Sequence, residues 1–370
     1  MANFSTLLKN SVKCALGLTA SLLGPHQFSL GGPQLWVLMY HRILPKTDPR
    51  YASEEPGMIV EPDTFSQQLR IVKQYFTPIH LSEWVDRQQK GLPLPAKACA
   101  ITFDDGWADN YEYAYPIIQQ QQVPITLFAV SDMIGTQQQF WPNQVNQLLR
   151  QQLAAQHGNS AEGSLTLGSG PAYSYSSAPE WLKPHLSDLN DPREAAAYTI
   201  NQLKHYSDEQ IHHWLAEYLA SSQASSNTDS KKPNTGSSNT NPAINPGLMN
   251  WAQLKTMSQN NLVEIGSHTC NHFRLNSQLN EHALSQEIIN SKQRLQDELS
   301  QPVNLFCYPN GDVCPKAIEL VQQHYKAAVT TQRGINKAHD CPLHTLTRIG
   351  IHQDRSHSAT LFKARLANWF

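Results

Sequence analysis

The chain lacks the patterns that mark several common classes of protein. Its 370 residues carry a formal net charge of −2 and no basic patch with interleaved aromatic residues, so we expect no nucleic-acid partner. No G-x-G-x-x-G motif follows a predicted strand and no P-loop is present, which leaves nucleotide binding without support. The apolar run at residues 14–23 is too short to span a bilayer.

The cysteines also lack a pattern. Six are present, none in a C-x-x-C motif, and their spacing indicates no disulfide framework. Cys99 and Cys307 lie in apolar, strand-like runs, where a cysteine is usually a small buried hydrophobe. This usage favours a reducing compartment, and we expect the protein to be cytoplasmic.

The N-terminal segment, residues 1–33, is predicted to be partly helical. Lys9 and Lys13 precede the apolar run at residues 14–23, a pattern shared with short signal peptides. No clear cleavage site follows this run. We therefore expect a helix that packs on the domain or touches a membrane surface through residues 1–30, with export by an N-terminal signal as the alternative.

Strand and helix patterns alternate along most of the chain. A helical pattern at residues 110–122 joins predicted strands at residues 98–103 and 123–130, the spacing of a βαβ unit with a right-handed connection. The repeated βα units predict an α/β fold with a closed or nearly closed barrel rather than an open sheet. The further predicted strands lie at residues 34–42, 263–268, 303–309, 327–331 and 346–351.

One segment, residues 141–247, interrupts this alternation. It contains helical patterns at residues 145–153 and 191–219, and residues 221–246 are almost wholly Ser, Asn, Thr, Pro and Gly. We therefore predict a helical insertion that is disordered at about 221–246. The insertion could cover the active site, contact a partner or be an inert embellishment.

The insertion divides the predicted barrel into two parts. Residues 34–140 and 248–356 are expected to form the barrel itself. Residues 357–370 are expected to form a C-terminal helical tail.

Two adjacent carboxylates, Asp104 and Asp105, end the apolar strand at residues 98–103. Gly106 then allows the chain to turn sharply. Like charges repel, so a fold rarely keeps two carboxylates at a buried strand end without a cation. In α/β folds this end of the sheet is also where ligands bind. The alternative is that an Asp simply caps the helix that follows.

Two histidines, His268 and His272, follow another predicted strand. On one helical turn this spacing would place both rings on one side, where they could bind one metal ion; the alternative is two histidines in a polar loop. This spacing alone is weak evidence, but the chain also carries the Asp104–Asp105 pair. One carboxylate with two histidines leaves coordination positions open for water and substrate, which is typical of a catalytic metal. The second carboxylate is then free to act as a base.

Three motifs in this order resemble those of the polysaccharide deacetylases, carbohydrate esterase family four. They are Thr102–Gly106, Ser267–His272 and Phe306–Gly311. The resemblance extends from about residue 35 to residue 351, apart from the insertion. It implies a distorted (β/α) barrel that hydrolyses N-acetyl groups of amino-sugar glycans with a divalent metal.

The resemblance also implies roles for individual residues. Asp105, His268 and His272 would bind the metal, with Zn²⁺ expected first and Co²⁺, Ni²⁺ or iron as alternatives. Asp104 would be the general base on the metal-bound water. A backbone N–H near Tyr308 would help to hold the oxyanion.

The general acid has two candidates. The strand that ends in Tyr40 and His41 resembles the start of biofilm poly-N-acetylglucosamine deacetylases, whose motifs are permuted so that the acid comes first. His41 is therefore the predicted acid, and His352 is the second candidate.

The third motif departs from the family pattern. Many members carry an arginine there that orients the catalytic Asp, whereas this chain has Cys307. We hypothesise that Arg348 supplies the guanidinium from the last strand. Tyr308, Pro309 and Trp107 are expected as pocket walls, with plain core packing as the alternative.

The sequence thus predicts a metal-dependent N-deacetylase. Its expected substrate is an N-acetylated glycan or a lipid-linked or nucleotide-linked sugar. Two alternatives remain, which are a metal-dependent amidase acting on a non-sugar C–N bond and an inactive glycan-binding barrel.

Overall fold

The computed structural model describes residues 17–28, 31–156, 178–186, 192–226 and 247–369. They form two compact units, one from the described residues within 1–137 and 245–370 and one from those within 138–244. The stretch predicted to be disordered lies outside the described residues from 227 onwards, whereas residues 221–226 are helical.

Seven parallel strands close into a barrel in the first unit. They are joined in the order β1, β5, β6, β7, β8, β9 and β11, and β1 then pairs with both β5 and β11. The prediction of a (β/α) barrel is therefore confirmed. The strands are β1 (Gln34–Tyr40), β2 (Arg42–Ile43), β3 (Ile59–Val60), β4 (Thr77–Pro78), β5 (Lys97–Phe103), β6 (Ile125–Ala129), β7 (Val263–Ser267), β8 (Leu305–Cys307), β9 (Ala327–Arg333), β10 (Asn336–Lys337) and β11 (Leu346–Gly350).

The barrel is distorted in two places. Strand β8 is only three residues long and pairs with β7 through Ser267 and Phe306. Strand β11 shifts its register against β9 between Leu346 and Arg348. Two short strands extend the sheet, since β4 pairs with β5 and β10 runs antiparallel to β1.

Helices connect the strands of the barrel. Strand β5 is followed by a π-helical turn, Asn110–Ala114, that runs into α5, and a second π-helical turn, Gln286–Asn290, joins α10 to α11. The helices are α1 (residues 17–23), α2 (Pro49–Ser53), α3 (Pro62–Tyr75), α4 (Leu81–Gln89), α5 (Tyr115–Gln121), α6 (Trp141–Gln156), α7 (Pro192–Leu203), α8 (Asp208–Ser226), α9 (Trp251–Ser258), α10 (Glu281–Ser285), α11 (Ser291–Leu299), α12 (Pro315–His324), α13 (Gln353–Ser356) and α14 (Ala359–Leu366).

The inside of the barrel is apolar near the strand starts. Alternate strand residues such as Leu35 and Ala98 pack there with Trp84 of α4 in one buried cluster. Phe128 lies against Gly266, where an added Cβ would approach its ring to 2.4 Å, so this position of β7 needs a glycine. Small and large side chains therefore share the barrel interior.

The outer faces of the strands pack against the helices. The face of α3 with Phe65, Leu69 and Val72 is buried, as its spacing predicts. One face of the long helix from Glu281 to Leu299 is also buried, and it includes Leu284, Ile288, Ser291 and Leu295.

The second unit has its own small core. Trp141 and Val145 of α6 pack with Ile200 of α7 and Ile211 of α8. The rings of Trp181 and Trp214 stack with centroids 5.5 Å apart. Within the described ranges, no helix combines the length and the hydropathy that crossing a membrane requires.

Candidate active site

The polar residues of the site lie at the carboxyl ends of the barrel strands. Asp104 and Asp105 follow β5, His41 follows β1 and His268 follows β7. Parallel strands end at the same edge, so these side chains converge above the apolar interior. Asp104, Asp105 and His268 are each at most 3% exposed.

A turn separates the directions of the two carboxylates. Asp105 has φ 77° and Gly106 has φ 85°, so both residues lie in the left-handed region. A left-handed non-glycine residue costs energy and is typical of functional sites. The turn aims Asp104 into the barrel and leaves Asp105 facing the histidines.

Asp105, His268 and His272 have the geometry of one metal site. Asp105 Oδ1 lies 3.5 Å from His268 Nε2 and 3.5 Å from His272 Nε2. These distances are long for hydrogen bonds. They match the separation of about 3.4 Å between neighbouring ligands of a tetrahedral ion with bonds of about 2.1 Å. The three donor atoms also lie within 4.8 Å of one another.

Hydrogen bonds to neighbouring groups orient these ligand atoms. His268 Nδ1 lies 2.8 Å from Cys307 O and donates to it, so Nε2 keeps its lone pair toward Asp105. Trp107 Nε1 donates to Asp105 Oδ2 at 2.8 Å, which leaves Oδ1 for an ion.

The two histidines do not lie on a helical turn. Residues 268–274 form an irregular loop. Thr269 and His272 have φ 68° and 62°, which a right-handed helix does not allow. The two rings still meet, with centroids 4.9 Å apart, because these left-handed residues turn the chain back after β7.

The electrostatics of the site favour a positive charge. Burial alone would raise the pKa of Asp105, but the neighbouring imidazoles of His268, His272 and His41 lower it. Burial alone would lower the pKa of His268, yet Cys307 and the two carboxylates raise it. A proton or a cation is therefore stabilised here, and two imidazoles with one carboxylate suit a Zn²⁺-like ion.

Arg348 makes the contact with Asp104 that the sequence predicts. Its Nη1 donates to Asp104 Oδ1 at 2.7 Å and its Nη2 to Oδ2 at 2.8 Å. Burial would raise the pKa of Asp104, but the guanidinium outweighs it and holds the pKa below its usual range. Asp104 is therefore ionised and fixed in orientation at neutral pH.

Asp104 belongs to a second group of donor atoms. Asp104, His268 and Cys307 also lie within 4.8 Å of one another. Arg348 already contacts both Asp104 oxygens and approaches Cys307 Sγ to 3.2 Å. This second group is therefore satisfied by a cationic side chain, unlike the Asp105 group.

The two candidate acids differ in their surroundings. His41 Nε2 lies 3.9 Å from Asp104 Oδ2, and the ring is 21% exposed. His352 follows β11, and its Nδ1 pairs with Asp354. Only His41 has a described contact with Asp104.

The predicted pocket walls are buried. Tyr308 packs against Phe306 in the core outside the barrel, and its N–H donates to Val329 O at 3.2 Å. The oxyanion donor expected near Tyr308 is therefore not this N–H in the structure. Pro309 and Trp107 are also buried, and Trp107 alone of the three contacts a metal-site carboxylate.

A buried ion network beside Trp107 is not among the features predicted from the sequence. Arg42 lies 4.1 Å above the Trp107 ring and pairs with Asp109 and Glu54. The signal was present in the sequence, since Arg42 directly follows His41 and Asp109 lies four residues after Asp105. This network fixes the ring that orients Asp105.

Comparisons with known proteins give three kinds of similarity. The family model for polysaccharide deacetylase matches residues 91–213 and 190–329. YxkH of Bacillus subtilis (strain 168) is 29% identical over 134 residues, 35% of this chain and 41% of that protein. The poly-beta-1,6-N-acetyl-D-glucosamine N-deacetylase of Escherichia coli (strain K12) is 28% identical over 86 residues, 23% of this chain and 13% of that protein. These matches span less than half the length of either curated relative.

Two solved structures share the fold. Streptococcus pyogenes deacetylase PplD aligns with 90% of this chain and 98% of its own, at 19% identity and a TM-score of 0.53. IcaB from Ammonifex degensii aligns with 90% of this chain and 98% of its own, at 16% identity and a TM-score of 0.52. The family match extends from β5 to β9 and includes the Asp104–Asp105 pair and both histidines, and the chain belongs to the polysaccharide deacetylase family.

Proposed function

We propose that the protein is a metal-dependent hydrolase that removes N-acetyl groups from an amino-sugar glycan. The observation that carries the proposal is the convergence of Asp105, His268 and His272 beside a separate, ionised Asp104. A divalent ion held by these three residues would polarise the acetyl carbonyl and lower the pKa of a water to ~7. The remaining roles belong to side chains of the chain itself.

Asp104 is the proposed proton acceptor. Its carboxylate is ionised, and Arg348 holds both oxygens from the barrel side. His41 lies near Oδ2 and is partly exposed, so it can donate a proton to the amine that leaves. The proposed base Asp104 and the proposed acid His41 thus directly follow two neighbouring strands, β5 and β1.

The proposed substrate class is a polymer of N-acetylglucosamine. The Escherichia coli relative is named as a deacetylase of such a polymer, which supports this choice. The direct experiment measures acetate released from N-acetylglucosamine oligomers with added Zn²⁺ or Co²⁺. Release from lipid-linked or nucleotide-linked sugars alone would instead indicate a precursor as substrate.

The same experiment separates the alternatives. Release of product from simple amides or purines, but not from sugars, would assign a non-sugar amidase. Oligomer binding without any turnover at saturating metal would assign an inactive binding barrel. Either outcome would contradict the proposal.

His41→Ala is expected to lower kcat by about 10²-fold or more, because the leaving amine loses its proton donor. His352→Ala is the matched control and should retain most activity, since His352 pairs with Asp354 instead. Zn²⁺ affinity should be nearly unchanged in both variants. A larger loss of kcat in His352→Ala would transfer the acid role to His352.

We also propose that the protein contacts an anionic membrane surface. Among the described residues, eight large apolar side chains are exposed. Five of them lie in or next to α1 or after α14, and Ala20 of α1 packs against Ala364 and Ala367. The five are Leu18, Leu22, Leu23, Phe28 and Trp369.

Positive charge accompanies these apolar side chains. Burial, together with the nearby Lys363 and Lys97, lowers the pKa of His26 to about 4, which places both cations near α1. Residues 1–33 contain Lys9 and Lys13 but no Asp or Glu. An exposed apolar face with neighbouring cations suits lipids with acidic headgroups.

Cosedimentation with phosphatidylserine vesicles tests this proposal. The triple variant Leu18→Gln, Leu22→Gln and Leu23→Gln should bind at least about tenfold more weakly, because each Leu stabilises by roughly 1.5–3 kcal/mol when buried. Leu92→Gln with Leu219→Gln is the control, since these side chains are similarly exposed elsewhere. Equal binding by the triple variant, or none by the unmodified protein, would contradict the proposal.

A further inference from the structure

Glu287 is a buried carboxylate outside the metal-binding residues. It is 4% exposed and belongs to the π-helical turn Gln286–Asn290 between α10 and α11. Burial raises the pKa of this carboxyl, although hydrogen bonds from residues 269–271 oppose the shift. A fold that buries a carboxylate must supply hydrogen bonds in return.

Those hydrogen bonds come from the loop between the two histidines. Glu287 Oε2 accepts from Cys270 N at 3.0 Å and from Asn271 N at 2.9 Å. Oε1 accepts from Asn271 Nδ2 at 2.8 Å. The Thr269 side chain also lies near this carboxylate and lowers its pKa. One side chain therefore contacts all three residues that separate His268 from His272.

The loop needs such an anchor because its backbone is strained. Thr269 and His272 are both left-handed, and such residues persist only where their surroundings hold them. On the other side of the loop, Ser131 N donates to Thr269 O at 3.1 Å and Asp132 N to Cys270 O at 3.0 Å. The loop is thus held between the end of β6 and Glu287.

The helix that carries Glu287 is itself fixed to β7. Ser291 Oγ lies 2.7 Å from Ser267 Oγ, one residue before His268. Tyr325 Oη donates to Ile288 O at 2.7 Å, inside the π-helical turn. A π-helical turn changes the direction of the side chains within it and is frequent at functional sites.

We infer that Glu287 is a positioning residue that holds the 269–271 loop so that both imidazoles face Asp105. It touches neither substrate nor ion, and acts through the backbone amides of the loop. The inference rests on the proposed function, because it assumes that a divalent ion binds between Asp105, His268 and His272. Groups that orient metal ligands typically affect metal affinity by 10–100-fold.

The test measures Zn²⁺ affinity by competition with a chromophoric chelator. Glu287→Ala should weaken Zn²⁺ binding by about 10–100-fold and change the visible spectrum of the Co²⁺-loaded protein. Glu287→Gln should restore most of the affinity, because its Oε1 can still accept both backbone N–H groups. The new amide nitrogen can donate to Asn271 Oδ1 once the side-chain amide of Asn271 has flipped.

Glu264→Ala is the matched control. Glu264 also accepts a backbone N–H, from Ser82 at 3.2 Å, but it lies near the start of β7. This variant should melt earlier than the unmodified protein yet bind Zn²⁺ as tightly. If Glu287→Ala does not fold, Asn271→Ala takes its place, with an expected loss of up to about tenfold from one charged hydrogen bond.

The outcomes separate this inference from the proposed function. Unchanged Zn²⁺ affinity in Glu287→Ala, or in Asn271→Ala where that replaces it, would overturn the inference while the metal site stands. An equal loss in Glu264→Ala would also overturn it, because the effect would then reflect general destabilisation. Failure of the unmodified protein to bind Zn²⁺ would contradict the proposed function itself.

Discussion

Asp104→Asn is expected to lower kcat by at least about 10³-fold while Zn²⁺ remains bound. The amide cannot accept a proton, and a positioned general base typically contributes 10²–10⁴-fold. Zn²⁺ affinity should change little, because Asp104 faces Arg348 and the three proposed ligand atoms belong to other residues. Steady-state kinetics and metal content of the same preparation measure both quantities.

Cys307→Ser is the control for Asp104→Asn. Its Sγ lies 3.5 Å from Asp104 Oδ2 and 3.2 Å from Arg348 Nη2, so the change disturbs the same surroundings without removing the base. We expect this variant to lose less than about tenfold in kcat, as one weak hydrogen bond is altered. Near-normal turnover by Asp104→Asn would remove Asp104 from the proposed mechanism.

His268→Ala is expected to lose metal and activity together. His268 supplies one of the three proposed ligand atoms, and each ligand of a zinc site contributes roughly a hundredfold or more to affinity. Activity should therefore fall at low Zn²⁺ and recover in part when Zn²⁺ is raised. Asp104→Asn should show no such recovery, because the loss there is in proton transfer.

The contrast between these two variants separates binding from chemistry. His268→Ala should shift the dependence of activity on Zn²⁺ to higher concentrations. Asp104→Asn should instead lower activity by the same factor at every Zn²⁺ concentration. Isothermal titration with Zn²⁺ gives the affinities independently of turnover. Full activity of His268→Ala at the Zn²⁺ concentration that half-saturates the unmodified protein would show that His268 is not a ligand.

Much of the fold follows from patterns that the sequence displays. Apolar runs that end in polar residues mark the barrel strands, and helical spacing identifies the buried faces of α3 and α11. The contact between Arg348 and Asp104 could also be predicted from the sequence, because Arg348 lies on one strand of the barrel and Asp104 directly follows another. Arg348 of β11 can thus supply the guanidinium that the third motif lacks, since that motif has Cys307 in this chain.

Other features depend on contacts between distant parts of the chain. The loop that contains the left-handed Thr269 and His272 is held by hydrogen bonds from residues 131 and 132 and to Glu287, so the H-x-x-x-H spacing does not form a helical turn here. Tyr308 lies outside the barrel because alternation on the short strand β8 turns Cys307 inward. The sequence indicated Glu287 in one way, because this charged residue lies three positions after Leu284 on the buried face of its helix.

The central claim is that Asp105, His268 and His272 bind one divalent ion. Anomalous diffraction at the zinc absorption edge, from crystals of the unmodified protein grown with Zn²⁺, tests it most directly. We predict one strong peak about 2.0–2.2 Å from Asp105 Oδ1, His268 Nε2 and His272 Nε2. A fully occupied zinc peak elsewhere, with none between these three atoms, would contradict the account.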